Sequence, residues 1–504
     1  MSEILRKGRL GSARGDVARF TSSIKSDERL LKHVVDINKA HIIMLIEQKI
    51  VGRASGTKIL SALEGLEGRL ELKPSHEDVH MAVEEEVIMT AGPEIGGNMH
   101  LAKSRNDQVS TAIRMALREE LIRIMELTVD LQSAILGFSE RHTGTVIPGY
   151  THLQPAQPIT FGHYLLSFHD ALKRDLDRIL EAYRRVDQCP MGAGALATTS
   201  FPISRERVAE LLGFSAVLEN SLDAVASRDF ILETLASLSI MAVNLSRFVE
   251  DLIIWCTSEF GLVELPDEFS STSSVMPQKK NPEVLEVIRS RMGCIIGDLV
   301  SSLTMIKALP SSYNMDLQEV TPKLWDAIEV VAGSLGILSK LVPSLTIERD
   351  IFARPELIFT TSTELANMLV AKYSIPFRTA HNIIGSLTKT MMGRNQSLQD
   401  ATPETLEEAA ESLGVSLQVD NGDIRSAADP KRFVESHNVR GGPAESEVLR
   451  MITVREAALS LSKRQISEKN SALADAKRTL SQTVNSYLNS SGSAARFKKK
   501  YKVE

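Results

Sequence analysis

Cysteine is almost absent: Cys189, Cys256 and Cys294 are the only three in 504 residues, and no two are close in sequence. Neither a disulfide framework nor a cysteine-based zinc site follows from them, and a reducing compartment is the expected home. Aromatic residues make up only 5%, and alternating apolar–polar runs are rare, which argues against a β-rich fold. No uninterrupted apolar stretch approaches the roughly 18 residues of a membrane span, and the opening MSEILRKGRL lacks the apolar core of a secretory signal. A cytoplasmic location, with no membrane attachment, is the expectation. A net charge of −6 offers no global attraction for nucleic acid or anionic lipid.

What the chain does have is length and helix formers. Its 504 residues exceed what one core usually organises. From Leu101 to Leu136 neither Gly nor Pro occurs, and Ile113, Leu117, Leu121, Ile124, Leu131 and Ile135 recur at helical spacing. Arg114, Arg118, Glu119 and Glu126 fall around the remaining faces. Similar segments run from Phe214 to Phe260 and follow Pro158, Pro282 and Pro322. Helices this long need a bundle, or partners on more than one face. The expectation is an all-α chain of three helical domains: an N-terminal unit (1–110), a central long-helix bundle (111–358) and a C-terminal unit with a basic tail (359–504). The final SSGSAARFKKKYKVE reads as a frayed basic terminus rather than a nucleic-acid arm.

Two motifs match known patterns without their context. His76-Glu77-Asp78-Val79-His80 fits H-E-x-x-H, but a catalytic zinc also needs a third ligand, no glycine-and-histidine extension follows, and a polar helix start explains it as well. Gly192-Ala193-Gly194-Ala195-Leu196-Ala197 fits a dinucleotide fingerprint. The residues before it form a charged amphipathic pattern interrupted by Pro190, not a buried strand. These glycines are expected to let a loop pass close to another backbone, and neither a metal nor a cofactor is expected.

Three polar segments carry chemistry. Ser270–Pro282, SSTSSVMPQKKNP, holds serines, two lysines and an asparagine between two prolines. Lys103-Ser104-Arg105-Asn106-Asp107-Gln108 opens a long helix, where cations and free N–H groups can hold a carboxylate. Gly149–Pro158, GYTHLQPAQP, presents a threonine, a histidine and two glutamines in a proline-bracketed loop. Singly, each is compatible with a linker or a helix cap. Together they supply an anion clamp, an acid/base imidazole and a hydroxyl-bearing loop.

The stretch SSVMPQKKNP resembles the SSxMPxKxN signature of the fumarase/aspartase superfamily. With KSRNDQ, PGYTHLQPAQP, GAGAL and LPSSYNMDLQE it is similar to the argininosuccinate lyase branch, from Phe20 to the GGPAESEVLRMI segment. The resemblance implies reversible elimination of argininosuccinate to L-arginine and fumarate, the last step of arginine biosynthesis, without a cofactor. It also implies a homotetramer whose active sites are shared between subunits. On this pattern Ser273 is the base, assisted by Lys279, and Lys279 and Asn281 grip the carboxylate whose charge grows. His152 handles the proton of the leaving nitrogen, with Glu286 as its orienting carboxylate; Ser273 and His152 can exchange roles. Ser23, Asp27, Tyr313 and Gln318 meet the arginine end, Arg105, Asn106 and Thr151 the succinate carboxylates, and His80 lies near the catalytic histidine. The chain departs from the pattern at Thr272, where a glycine is usual, at Lys103, where an arginine is usual, and at Thr321, where a lysine is usual. The alternatives are a related fumarate-releasing lyase with a different amine, and a silent structural relative of the lens-crystallin kind.

Overall fold

The computed structural model describes residues 14–73, 76–354, 357 and 359–500. The N-terminal helices are α1 (Leu31–Glu47), α2 (Arg53–Leu63) and α3 (Val79–Ala91). The longest bundle helix, α4 (Arg105–Arg141), has 37 residues and therefore spans about 55 Å. A hairpin of β1 (Val146–Thr151) and β2 (Gln154–Thr160) leads into α5 (Phe161–Val186), and α6 spans Asp229–Trp255. A short ladder of β3 (Ser271–Thr272) and β4 (Lys280–Asn281) precedes α7 (Glu283–Ile306) and α8 (Asp316–Leu341). The five helices α4 to α8 pack on one another as the central bundle. The fold is all-α, as its composition implies; among the described residues the strands form only two-stranded pieces.

Helix α4 buries Ile113, Leu117, Leu121, Ile124, Leu131 and Ile135, all at 2% exposure or less. Arg114 and Arg118, on the remaining faces of the helix, are buried as well. Each guanidinium satisfies carbonyls at a helix end, where backbone oxygens lack internal donors. Arg114 donates to Arg185 O at 2.6 Å, and Arg118 to Gly213 O at 2.6 Å and Leu212 O at 2.9 Å. Their flat faces lie over Phe230 and Phe214, 3.9 and 3.8 Å from the ring centres.

Helix α8 begins at Asp316, so Pro322 stands inside it rather than before it. An interior proline costs a helix about 3 kcal/mol. Burial of Leu317, Val320, Leu324 and Trp325 on either side holds the helix through it. Two helices, Asp229–Trp255 and the run Asp316–Ser344, are long and apolar enough to cross a membrane. Both run through the bundle, where packing accounts for their apolar faces.

The stretch 359–504 packs in two ways. Helices α9 (Ser362–Tyr373), α10 (Phe377–Gly393), α11 (Pro403–Glu411) and α12 (Asn421–Ala428) enclose a separate apolar core of Leu365, Ile383, Leu387, Leu406 and Ile424. After α13 (Pro430–Ser436) the chain returns as α14 (Glu445–Lys500). Val448, Ile452, Leu459, Ile466, Leu480 and Val484 of α14 belong to the main core. This apolar stripe, from Val448 to Val484, lies along α4, α2 and α1; the helix runs to Lys500, and the last four residues fall outside the described ones.

Candidate active site

One group of expected residues gathers where the segment before α1 meets α3, the start of α4 and the start of α8. Ser23 donates its backbone N–H to Glu77 O at 3.1 Å, and its hydroxyl to Asp27 Oδ2 at 2.6 Å. Val79 N–H reaches the same Asp27 oxygen at 3.5 Å. Burial pushes the Asp27 carboxyl up to about 6, against the lowering effect of the Ser23 bond. Asp78 caps α3 by accepting from Met81 N–H at 2.7 Å, and its other oxygen pairs with Arg105. Arg105 also lies 3.8 Å from Glu84. His80 is buried on α3; desolvation holds its imidazole down at about 3, and Nδ1 lacks a partner among the described residues. Tyr313, raised first by burial, shares its electrostatic surroundings with Arg228, Asp78, Arg105 and Asp27. Gln318 donates to Thr21 O at 3.2 Å, tying α8 to the Ser23 segment.

Arg228 belongs here though no sequence pattern pointed to it, as do Asp78 and Asp107, which lie inside motifs noted above but were given no role there. Arg228 is 2% exposed; its Nη1 donates to Val225 O and Ser227 O, while Nε and Nη2 have no partner among the described residues. A cation buried with free donors beside Tyr313 is a ready anchor for an anion. Asp107 clamps the glycine loop. Its Oδ2 accepts from Gly192 N–H at 3.1 Å and Gly194 N–H at 2.9 Å, and its Oδ1 from Ser104 N–H at 3.0 Å. Asn106 adds a bond to Ala195 O at 3.1 Å. Both glycines have positive φ, and a Cβ at Gly194 would sit 2.6 Å from Thr198 O. The loop therefore fastens to the head of α4 and makes no dinucleotide cradle. His76, likewise, precedes α3 while His80 lies on it, so the two imidazoles share no helical face. Among the described residues no cluster of three or more His, Cys, Asp or Glu could hold a metal ion.

Thr151 and His152 lie elsewhere. The expected loop is a β-hairpin in which Thr151 pairs with Gln154, leaving His152 and Leu153 as a two-residue turn. Both have positive φ, 55° and 57°, the pattern of a type I′ turn that normally takes Asn-Gly. Each non-glycine residue in that region costs about 1–2 kcal/mol. The imidazole is thereby held at an exposed tip, beside a Leu153 that is 61% exposed.

The third group is the Ser273 loop. Ser271 and Thr272 pair with Asn281 and Lys280, closing the loop at its base. Ser273 Oγ accepts from Val275 N–H at 3.2 Å and Met276 N–H at 3.0 Å. Lys280 is tied to Glu264 at 3.1 Å and Asp267 at 2.8 Å. Its neighbour Lys279 is exposed and makes no ion pair among the described residues. Glu286 is exposed on the first turn of α7.

The structure therefore brings together Ser23, Asp27, His80, Arg105, Tyr313 and Gln318, with Asn106 on the adjoining turn. Among the described residues no hydrogen bond or ion pair joins this group to Thr151 and His152, or either of these to Ser273, Lys279, Asn281 and Glu286.

Residues 20–297 match the family model described as Lyase, and residues 359–435 match the one described as Argininosuccinate lyase C-terminal. The second match coincides with the separate small core. An argininosuccinate lyase of Methanocaldococcus jannaschii is 42% identical over 473 residues, covering 92% of this chain and 96% of that one. An argininosuccinate lyase of Methanosarcina barkeri is 42% identical over 492 residues, covering 97% and 99%. The solved structure of EDDS lyase in complex with formate superposes with a TM-score of 0.86 at 30% identity, covering 92% of each chain. On these grounds the chain is an enzyme of the argininosuccinate lyase family, within the fumarase/aspartase superfamily of lyases.

Proposed function

We propose that this chain cleaves argininosuccinate reversibly to L-arginine and fumarate, the final step of arginine biosynthesis, in the cytoplasm and with no cofactor. The reaction removes a proton from carbon beside a carboxylate, a very weak acid. The dianion that forms must be met by charges and donors already in place, usually the largest catalytic term. The observation that carries this reading is Ser273. Its oxygen collects two backbone N–H groups, which favour an anionic oxygen over a neutral hydroxyl. Ser273 is the base on carbon, and Lys279, left without a carboxylate while Lys280 is engaged, holds the growing negative charge together with Asn281. His152 gives or takes the proton at the leaving nitrogen, and Glu286 orients it. Arg105, Asn106 and Thr151 bind the succinate carboxylates, while Ser23, Asp27, Tyr313 and Gln318 position the arginine portion. His80, neutral because buried, supports this wall without carrying charge.

The three separate groups, which no hydrogen bond or ion pair joins among the described residues, support a homotetramer with sites shared between subunits. Helix α7 supports it: Ile296, Val300 and Leu303, at steps of four and three, are 42%, 57% and 48% exposed and form an apolar face left uncovered by the described residues. We further propose three working units: 1–110, 111–358 and 359–504, with α14 of the last bracing the first two. Purified protein given argininosuccinate should release fumarate, followed by its ultraviolet absorbance, and should sediment as a tetramer. Absence of fumarate release would overturn the reading, and release from a different amine adduct alone would reassign it to another lyase of the superfamily.

A further inference from the structure

A cavity of about 610 Å³ opens beside the first group, lined in part by Ser22, Ser23, Lys25, Arg29, Gln318 and Glu319. The arginine portion of the proposed substrate ends in an α-carboxylate and an α-ammonium, so a site for it must offer a cation as well as acceptors. The residue two positions beyond Glu319 is Thr321, which is buried in the bundle at 5% exposure and carries no charge. Lys323, one turn from Glu319, points to Asp298 at 3.4 Å and does not line the cavity. Arg29 does line it, but it already faces two carboxylates and a ring: it lies over Trp325 at 4.7 Å, 3.3 Å from Glu329 and 3.9 Å from Glu120. Lys25 remains. It is exposed, two residues from Ser23 on the same short helical turn, Ile24–Asp27, and has no ion pair or hydrogen bond among the described residues.

We propose that Lys25 binds the α-carboxylate of the arginine portion, with Glu319 across the cavity accepting the α-ammonium; this rests on the argininosuccinate reading above. It assigns the pairing role left open by Thr321 to a different segment of the chain. The geometry suits it, because Gln318 already ties α8 to the Ser23 segment through Thr21 O, so the two walls of the cavity keep a constant spacing.

The test compares product inhibition of argininosuccinate cleavage by L-arginine and by agmatine, which is arginine without its carboxylate. In Lys25→Ala the inhibition constant for arginine should rise at least tenfold, that for agmatine less than twofold, and Lys25→Arg should recover most of the arginine affinity. In the reverse direction the KM for fumarate should move less than twofold, which separates loss of this contact from general damage to the site. An unchanged inhibition constant for arginine, or an equal rise for agmatine, overturns the proposal. A wild-type protein that releases no fumarate from argininosuccinate overturns the parent reading instead.

Discussion

Replacing Asp27 by asparagine is expected to stabilise the protein at neutral pH and to impair it as a catalyst. The carboxyl is 7% exposed, accepts from Ser23 Oγ and Val79 N–H, and is pushed by burial from 3.8 to about 6. Between those values the native chain holds a proton that the unfolded chain has lost, so stability falls as pH rises. The contribution is complete below about 3.8 and gone above about 6, a total of about 3 kcal/mol as an upper bound. Between pH 5 and pH 8 the loss is about 1.4 kcal/mol. Asparagine has no proton to lose, so the stability gap between Asp27→Asn and wild type should widen in favour of the variant by about 1.4 kcal/mol over that range. Asp36 and Asp107, also raised by burial to about 6, are common to both proteins and cancel in the difference. Urea unfolding at pH 5 and pH 8, followed by circular dichroism, reads the gap directly. At the same time KM for argininosuccinate should rise at least tenfold, since the charge that faces the guanidinium is gone. A gap that stays constant with pH refutes the electrostatic account, and full activity in the variant refutes the role at the arginine end.

Ser273→Ala should abolish turnover while leaving the helical signal and substrate binding intact; activity above a few per cent of wild type in a fumarate assay would reassign the base. Subunits carrying His152→Ala mixed with subunits carrying Ser273→Ala should regain partial activity, because some sites in a mixed tetramer escape both lesions. No recovery after mass spectrometry has shown mixed tetramers would count against shared sites. Asp107→Ala strands the N–H groups of Ser104, Gly192 and Gly194, each worth about 1–3 kcal/mol when buried and unpaired. Calorimetry should show a marked loss of stability, accompanied by weaker fumarate binding as Arg105 and Asn106 lose their register.

Periodicity made the bundle legible. The Gly- and Pro-free run with apolar residues at helical spacing is α4, and the segments after Pro158 and Pro282 are α5 and α7. Pro322 misled because a local helix breaker is overridden when both flanks are deeply buried. The hairpin was read as a loop because its turn residues, His152 and Leu153, are not those that a type I′ turn prefers. The segments of Ser273, Lys279 and His152 stood out because they are dense in polar and turn-forming residues, and the family resemblance singled out these residues within them. Arg228 and Asp107 did not, since a buried charge is visible only once its surroundings are known. The sequence likewise offered no way to see that Arg114 and Arg118 point inward, because an arginine at helical spacing looks the same whether it meets water or a helix terminus.

The small core of α9 to α12 is sealed off from the large one, and this has a thermal consequence. A compact body with its own apolar interior can melt on its own. Helix α13, immediately after it, packs on both hairpin strands, and Gly441 O accepts from His163 Nε2 at 2.9 Å just beyond β2. Warming should therefore loosen the mount of the imidazole while most of the scaffold is still intact, and the enzyme should fall silent several degrees before it loses its shape.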